Sequence, residues 1–251
     1  MTSVSNASVG AFLAGNSAAK ARHGMTEAIA RLSTGVRAMY GGDAGGASAA
    51  MQLRAEGRSA MMAARGAEDG ISFLHSGEAA LLEIAALNTR IRELAIQGLN
   101  DTMSTADKAA ITAEVAEVVL AGNNIDTAAL NGTALLTAAI SFVIDLDGTT
   151  DELGAAAGIT LAAGRAAADT QMAAITLAMG KMAAGISALR GHQANLYALA
   201  ANSEAAASRI GDTDFARESA NLAKNSILNQ SAMAMVAQAN QAGASVLAVL
   251  Q

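Results

Sequence analysis

The stretch "FLHSGEAALLEIAALNTRIREL" (73–94) decides the fold of this chain, because its large apolar residues return at steps of three, four or seven. Such steps place the side chains along one stripe of an α-helix, which is the pattern of a coiled coil or helical bundle. The pattern predicts a long helix over about 68–99. The stripe consists of Leu74, Leu81, Ile84, Leu87, Ile91 and Leu94.

The same periodicity occurs twice more along the chain. After the polar break "NDTMST" (100–105), a second helix is predicted over about 105–128 from Ile111, Val115, Val118 and Ile125. A third, over about 165–209, is predicted from Ile175, Met179, Met182, Ile186, Leu189 and Leu196. There is no proline to interrupt these helices, although average usage of about 5% would give roughly twelve. We therefore predict a mainly α fold, a long antiparallel helical bundle or coiled coil.

A short segment between the second and third helices has a different character. "ISFVIDLDG" (140–148) is β-branched and aromatic, and "GITLA" (158–162) is a second short apolar run. The residues between them are rich in Asp, Gly and Thr, which favour turns. We predict a small β-hairpin within 140–162 and leave its register open, because the linker is longer than a tight two-residue turn.

Both ends of the chain are apolar and uncharged. No charged residue precedes Lys20, and none follows Lys224. Chain termini are normally solvated and frayed, and the two halves of this chain already have seams of their own for a core. We therefore expect the two ends to form an assembly surface.

The flanking helices are weaker than the central three. Ile29, Leu32 and Val36 form only a short seam before "GGDAGG" (41–46), whose glycines favour a loop or hinge. Ala-rich helices with little to bury are marginal until they pack. We predict a helix over 1–40 that becomes ordered on assembly, a helical bundle with the hairpin over 41–209, and a C-terminal helix over 210–251 that also becomes ordered on assembly.

Composition excludes several classes of protein. The net charge of −6 argues against nucleic-acid binding, which requires a basic stripe. We expect no stretch to reach the 18–20 apolar residues that span a bilayer, since the best candidate, "ALLTAAISFVI" (134–144), is too short. No cysteine is present for a disulfide or for thiol chemistry. The expected partners therefore include neither nucleic acid nor membrane.

No pattern in the sequence proposes catalysis or a metal site. Asp145, Asp147 and Asp151 lie near a glycine, but the calcium-loop pattern needs a further ligand before the glycine and a glutamate after it. A solvated turn is the simpler interpretation. The histidines are far apart and lack zinc-site spacing: His23, His75 and His192. We expect no catalytic residue, no metal and no cofactor.

Six blocks of sequence closely resemble bacterial flagellin, and they occur in the order expected for that family. They are "AIARLSTGVRA" (28–38), "EDGISFLHSGEAALLEI" (68–84), "RIRELAIQGLND" (90–101), "LNGTALL" (130–136), "SRIGDTDFARE" (208–218) and "ILNQSAMAMVAQANQ" (227–241). Larger flagellins insert outer domains after the hairpin. Here "GITLAA" (158–163) runs almost directly into the third long helix, so the resemblance implies a short form with the filament core alone.

The resemblance implies that the N- and C-terminal helices pair as a coiled coil and that the chain polymerises through them into the flagellar filament for motility. A contact repeated with a rotation that does not close gives an open helical filament. A charge buried between such helices would be costly, which agrees with the uncharged ends. The expected polymerisation interface consists of Val4, Val9, Phe12, Leu13, Ile227, Leu228, Met235, Val236, Val246, Leu247 and Leu250.

The resemblance also implies partners and a location. It implies export through the flagellar secretion channel to the cell exterior, a chaperone on the C-terminal segment, and contacts with filament cap and hook-junction proteins. A host Toll-like receptor is a further candidate partner. The residues that match the family's receptor surface are Arg90, Leu94 and Glu114.

Two other functions remain open at the level of sequence. The hook–filament junction protein shares the paired terminal helices, although "RELAIQ" (92–97) and "VAQANQ" (236–241) favour flagellin. A secreted membrane-active helical translocator would use the apolar ends to enter lipid, and the expected lack of a membrane-length stretch argues against it.

Overall fold

The computed structural model describes residues 2–37, 42–137, 140–143, 150–153 and 159–249. Within these residues the chain forms five helices and two small antiparallel hairpins. The prediction of a mainly α fold with a small β-hairpin and packed terminal helices is confirmed. The elements in chain order are α1 (Thr2–Thr34), α2 (Ala44–Gly98), α3 (Thr105–Asp126), β1 (Ala129–Leu130), β2 (Thr133–Ala134), β3 (Ile140–Val143), β4 (Thr150–Leu153), α4 (Arg165–Gly211) and α5 (Phe215–Val249).

The chain divides into two compact units. Unit 1 consists of Met1–Ala55 and Ser203–Gln251, and unit 2 consists of Glu56–Asn202. Unit 1 therefore contains α1, α5, the start of α2 and the end of α4. Unit 2 contains the remainder of α2 and α4 together with α3 and the hairpins.

The core of unit 2 is built from the three predicted seams. The apolar stripe of the opening stretch is buried there, with Leu87 half-buried. Residues of α3 and α4 complete the core, including Val115, Ile175 and Ile186. The side chain of Asn88 on α2 is buried and donates from Nδ2 to the backbone carbonyl of Ala168 at 2.8 Å. This hydrogen bond joins α2 to the start of α4.

Helix α2 is longer than predicted at its N-terminal end. It begins at Ala44, inside the segment that we expected to be a glycine loop, and Asp43 caps it by accepting from the Gly46 backbone N–H at 2.8 Å. The extra turns bury small residues in place of large ones. The spacing of large apolar residues gives no signal for such a seam, which is why the predicted helix began only at about residue 68. These buried residues are Ala50, Gly57, Ala60, Ala64 and Ala67.

The predicted hairpin exists, but its second strand lies elsewhere. Strand β3 pairs antiparallel with β4, and Ile140 faces Leu153. The apolar run at 158–162 is not its partner. The Ile159 backbone N–H instead donates to Asp126 Oδ1 at 2.9 Å, and that of Leu161 donates to Asn123 Oδ1 at 2.8 Å. Both side chains are buried in the core of unit 2, so this segment packs as an irregular strap.

A second, very short hairpin was not predicted. Strands β1 and β2 pair across Asn131 and Gly132, both of which have positive φ angles, 51° and 79°. Asn-Gly is the preferred pair for a two-residue turn of this handedness. The signal was therefore present in "LNGT" (130–133).

In unit 1, helix α1 packs against α5 through two regular seams. The buried and half-buried residues of each helix recur at steps of three and four, as in a coiled coil. On α1 they are Ala11, Ala14, Ala18, Ala21, Met25, Ala28 and Leu32. On α5 they are Glu218, Leu222, Asn225, Asn229, Ala232, Val236 and Ala239. Two helices with such small seam residues can approach each other closely.

The seam that we expected on α1 was partly wrong. Ile29 is half exposed and lies away from α5, and Val36 forms an isolated antiparallel bridge with Asp212. Leu32 alone of the three predicted residues belongs to the seam of α1. Alanine is the better packing residue where two helices approach closely, and several larger residues of α1, such as Phe12, Leu13 and Ile29, are exposed instead.

Candidate functional site

The exposed large apolar residues of α1 and α5 form the candidate functional site, and we call this set of residues the outer apolar face. Its members lie outside the seam between the two helices and are about half exposed or more. On described residues the face consists of Val9, Phe12, Leu13, Ile227, Leu228 and Met235.

Of the remaining predicted interface residues, one lies in the seam and the side chains of the other four are outside the described structure. Val236 is half-buried and belongs to the seam between α1 and α5. The side chains of Val4, Val246 and Leu247 lie outside the described structure, although their backbones belong to α1 and α5, and Leu250 lies outside the described residues altogether.

The outer apolar face lies mostly in segments without charge. Phe12 and Leu13 precede the first charged residue, and Ile227 follows the last one, Lys224. A solvated face of a helix is normally charged or polar. Exposed large apolar side chains of this kind are typical of surfaces for association, so these residues are suited to binding another apolar surface.

Charged residues hold the terminal helices together at the opposite end of the pair. Glu218 is almost fully buried, and Arg31 Nη1 lies 3.3 Å from its Oε1 atom. Glu27 lies 3.8 Å from the same guanidinium, and Asn221 donates to Glu218 Oε2 at 3.3 Å. The sequence analysis missed this cluster, although a glutamate at a seam position was a visible signal.

The turn between α4 and α5 is tied to the end of α1. Arg37 donates its backbone N–H to Gly211, and Thr213 donates to Gly35, each at 2.8 Å. The side chain of Asp212 accepts from Arg54 Nη2 at 2.6 Å. These contacts fix where α5 starts relative to α1.

The candidate receptor residues lie on α2 and α3, in unit 2. Arg90 Nη2 is 2.7 Å from Glu114 Oε1, and its Nε donates to the same oxygen at 3.2 Å. This hydrogen-bonded pair, together with Glu93, raises the pKa of Arg90 above its ordinary value. Leu94 does not share this surface, because it is 1% exposed and belongs to the core of unit 2.

The described part of the chain contains no cluster of side chains suited to holding a metal ion. No group of three or more His, Asp or Glu side chains converges among the residues that the structure describes. Asp145 and Asp147 lie outside those residues, and Asp151 belongs to β4. His23 lies beside Glu27 at 3.6 Å and His75 beside Glu78 at 3.3 Å, on different helices.

Two helices are more apolar than the sequence analysis expected. Helices α2 and α4 each contain an 18-residue window with mean hydropathy of 1.2 and 1.5, which is sufficient to span a membrane by length and composition. The expectation that no stretch reaches this threshold was wrong, because runs of alanine raise the average. Core helices of soluble proteins pass the same test, and both helices contribute buried side chains to the core of unit 2.

Comparison with known proteins gives matches along nearly the whole chain. The family model for the bacterial flagellin N-terminal helical region matches residues 6–140, and that for the C-terminal helical region matches residues 166–250. A flagellin of Halalkalibacterium halodurans is 34% identical over 248 residues, covering 90% of this chain and 91% of the relative. Flagellin FlaB2 of Treponema pallidum is 33% identical, covering 89% and 91%. A flagellin of Bacillus subtilis is 30% identical, covering 88% and 91%.

Proposed function

The chain belongs to the bacterial flagellin family and is a structural subunit of the flagellar filament, and we propose that its copies join through the outer apolar face of α1 and α5. Flagellins are structural proteins and not enzymes. The proposal therefore concerns the surface of polymerisation.

The exposure of Phe12 and Ile227 carries this proposal. Both side chains are more than 60% exposed, and each full burial of a large apolar side chain is worth about 1.5–3 kcal/mol. A partner surface that covers the outer apolar face gains this free energy without having to bury a charge. The same contact repeated from subunit to subunit produces an open helical filament.

We further propose that the terminal segments 1–40 and 210–251 become fully ordered only on assembly, in contrast to the bundle of 41–209. The α1 side of the seam is mostly alanine and the α5 side includes a glutamate and two asparagines, so the pair buries little apolar area by itself. Helices of this kind depend on tertiary contacts for most of their stability. The prediction can be checked by hydrogen exchange: amides of α1 and α5 should exchange much faster in the monomer than in filaments, whereas equal protection would contradict it.

The exposed face also suggests partners before and during assembly. A subunit exported to the cell exterior must keep its apolar face covered beforehand, and we propose that a chaperone covers part of 215–251. Cap and hook-junction proteins would meet the same helices at the filament ends. Loss of chaperone binding on deletion of α1 alone, with α5 intact, would contradict this assignment.

We propose Arg90 and Glu114 as the surface available to a Toll-like receptor. They lie together and exposed on α2 and α3, whereas Leu94 supports them from the core. Replacing Glu114 with Gln should weaken receptor activation without changing the thermal midpoint. Replacing Leu94 with Ala should lower both, so activation that falls with Leu94→Ala at an unchanged midpoint would contradict this placement.

Seeded growth tests the proposed interface. Purified monomer is mixed with short filament seeds and elongation is followed by negative-stain microscopy. We expect Ile227→Asp and a chain lacking 225–251 to stop elongation, because a charge or a gap then replaces the buried apolar contact. Ile227→Leu, which keeps the apolar character, is the matched control and should elongate normally.

Other outcomes separate the alternatives. Normal elongation by Ile227→Asp would leave the family assignment standing and contradict the proposed face. A full-length chain that caps seeds without elongating them indicates a junction protein, and leakage of liposomes on addition of the monomer indicates a membrane-active role.

A further inference from the structure

The seam between α1 and α5 has an unusual uniformity. Alanine occupies five of the seven seam positions that α1 presents to α5. A row of small residues discriminates poorly between registers that differ by one heptad. The backbone hydrogen bonds at the turn set where the pair begins, and we infer that two asparagines of α5, Asn225 and Asn229, keep the register along the rest of the terminal helix pair.

The side chain of Asn225 packs against Gly24 of α1. The position that a Cβ would occupy on Gly24 is 2.6 Å from Asn225 Nδ2 and 3.0 Å from its Cγ. A shift of one heptad would bring Ser17 or Arg31 to this position in place of Gly24. Both of these residues have a Cβ, so in a shifted register the amide group of Asn225 would have to turn away from its observed position against α1.

Asn229 makes a second contact that depends on the register. Its Oδ1 atom accepts from Arg22 Nε at 3.4 Å, and Arg22 Nη2 also contacts Met233 Sδ at 3.4 Å. After a shift of one heptad, Gly15 or Ile29 would replace Arg22. Neither offers a side-chain donor, so the shifted register loses the hydrogen bond of Asn229 to α1. Single polar residues within apolar seams specify register in coiled coils in the same way.

The register has a consequence for assembly. It determines how far Phe12 on α1 lies from Ile227 on α5, and hence the shape of the outer apolar face. This consequence rests on the proposed function, whereas the register itself does not. The two are therefore tested by separate measurements.

The absence of cysteine allows a direct measurement of register. The reporter Ala18→Cys with Ala232→Cys joins buried seam positions that lie six residues before Gly24 and seven residues after Asn225. The reporter Ala18→Cys with Ala239→Cys detects the register shifted by one heptad. Mild oxidation of the full-length monomer closes a loop, which migrates faster on a non-reducing gel than the open chain and is distinct from intermolecular ladders.

We expect the parent chain to close the loop with the first reporter only. In the variant Asn225→Ala, Asn229→Ala, the ratio of shifted to observed loops should rise at least tenfold. Gly24→Leu, which places a side chain on α1 where the amide group of Asn225 lies, should give a similar rise. The matched control is Gln230→Ala, Gln238→Ala, which removes two exposed amides from the same helix and should leave the ratio unchanged.

Two results would overturn the inference. One is an unchanged ratio in both the asparagine and the glycine variants. The other is a parent chain that closes both loops or neither of them. Seeded growth of the parent chain is scored in parallel, so normal growth without a register-specific loop would reject the inference while leaving the proposed function in place.

Discussion

Leu161 lies directly over Gly122, where any other residue would have a Cβ. Leu161 is 2% exposed and belongs to the strap at 159–161 that seals the core of unit 2. Leu87 of α2 also approaches the same position, at 3.7 Å. The missing side chain of Gly122 therefore lets an irregular segment reach the core between two helices.

Replacing Gly122 with Ala tests this packing, because helix propensity and steric overlap predict changes of opposite sign in the free energy of unfolding. Alanine in a helix interior is favoured over glycine by about 1 kcal/mol, but overpacking a core costs about 1–3 kcal/mol. Leu161 has little room to move, so we expect Gly122→Ala to lower the free energy of unfolding in urea. Gly66→Ala is the control, since no atom lies within 4 Å of its Cβ position, and it should be neutral or stabilising. A stabilising Gly122→Ala would show that the strap can be displaced.

Two adjacent leucines on α2 should respond very differently to truncation. Leu81 is fully buried, whereas Leu82 is 54% exposed. Leu81→Ala leaves a cavity in the core of unit 2 and should cost about 2–5 kcal/mol. Leu82→Ala should change the free energy of unfolding by less than about 0.5 kcal/mol. Urea titrations with equal slopes for both variants provide the comparison, and similar losses would contradict the seam assignment.

The start of α3 should add a pH dependence to stability. Ser104 Oγ donates to Asp107 Oδ2 at 2.7 Å, and its backbone N–H donates to the same oxygen at 3.1 Å. These bonds lower the pKa of Asp107 below its ordinary value of 3.8. A lowered pKa contributes stability above the unfolded pKa and loses it as pH falls through the folded pKa.

The variant Asp107→Asn should therefore be less stable than the parent at pH 7, and the difference should shrink as the pH falls below about 4. Urea midpoints of parent and variant at pH 7 and pH 3 provide the measurement. Asp101→Asn, a fully exposed carboxylate in the same loop, should produce little difference at either pH. A difference between parent and Asp107→Asn that grows on acidification would contradict the direction of the pKa shift.

Large apolar residues made the fold of unit 2 predictable, whereas small ones concealed that of unit 1. Leu81 and Ile186 lie in the core, as their spacing indicated. The alanine and glycine seams of α1 and early α2 have the same periodicity, but their residues are not distinguishable from ordinary helix formers by hydrophobicity. These positions are seam residues because two helix backbones approach each other closely there, and composition alone does not reveal such an approach.

The candidate site was partly predictable for a related reason. The exposed residues of the outer apolar face, such as Phe12 and Ile227, were identified from the absence of charge around them. Leu94 was grouped with Arg90 because both match the family's receptor surface, although its spacing also placed it in the apolar stripe that forms the core of unit 2. The strap at Ile159 was predicted to be a strand because it is a short apolar run. Such a run does not reveal which groups accept its backbone hydrogen bonds, and here the acceptors are the side chains of Asp126 and Asn123 and not a neighbouring strand.

Glu218 is an acidic residue in the seam of the terminal helix pair, so its replacement tests what holds the two helices together. Its side chain is 10% exposed, and Arg31, which pairs with it at 3.3 Å, is 28% exposed. Removing one partner of such a pair leaves a desolvated charge behind, at a cost of about 1–3 kcal/mol. Glu27 remains within 3.8 Å of Arg31 and limits the loss.

We expect Glu218→Ala to increase the exchange rate of backbone amides in both α1 and α5 while leaving those of unit 2 unchanged. The matched control is Glu204→Ala, which removes a carboxylate that is 62% exposed and 3.8 Å from Arg54. Exposed pairs contribute about 0–1 kcal/mol, so this control should alter exchange little. If Glu218→Ala and Glu204→Ala have equal effects, the buried pair does not stabilise the terminal helices, and alanine packing alone must hold α1 to α5.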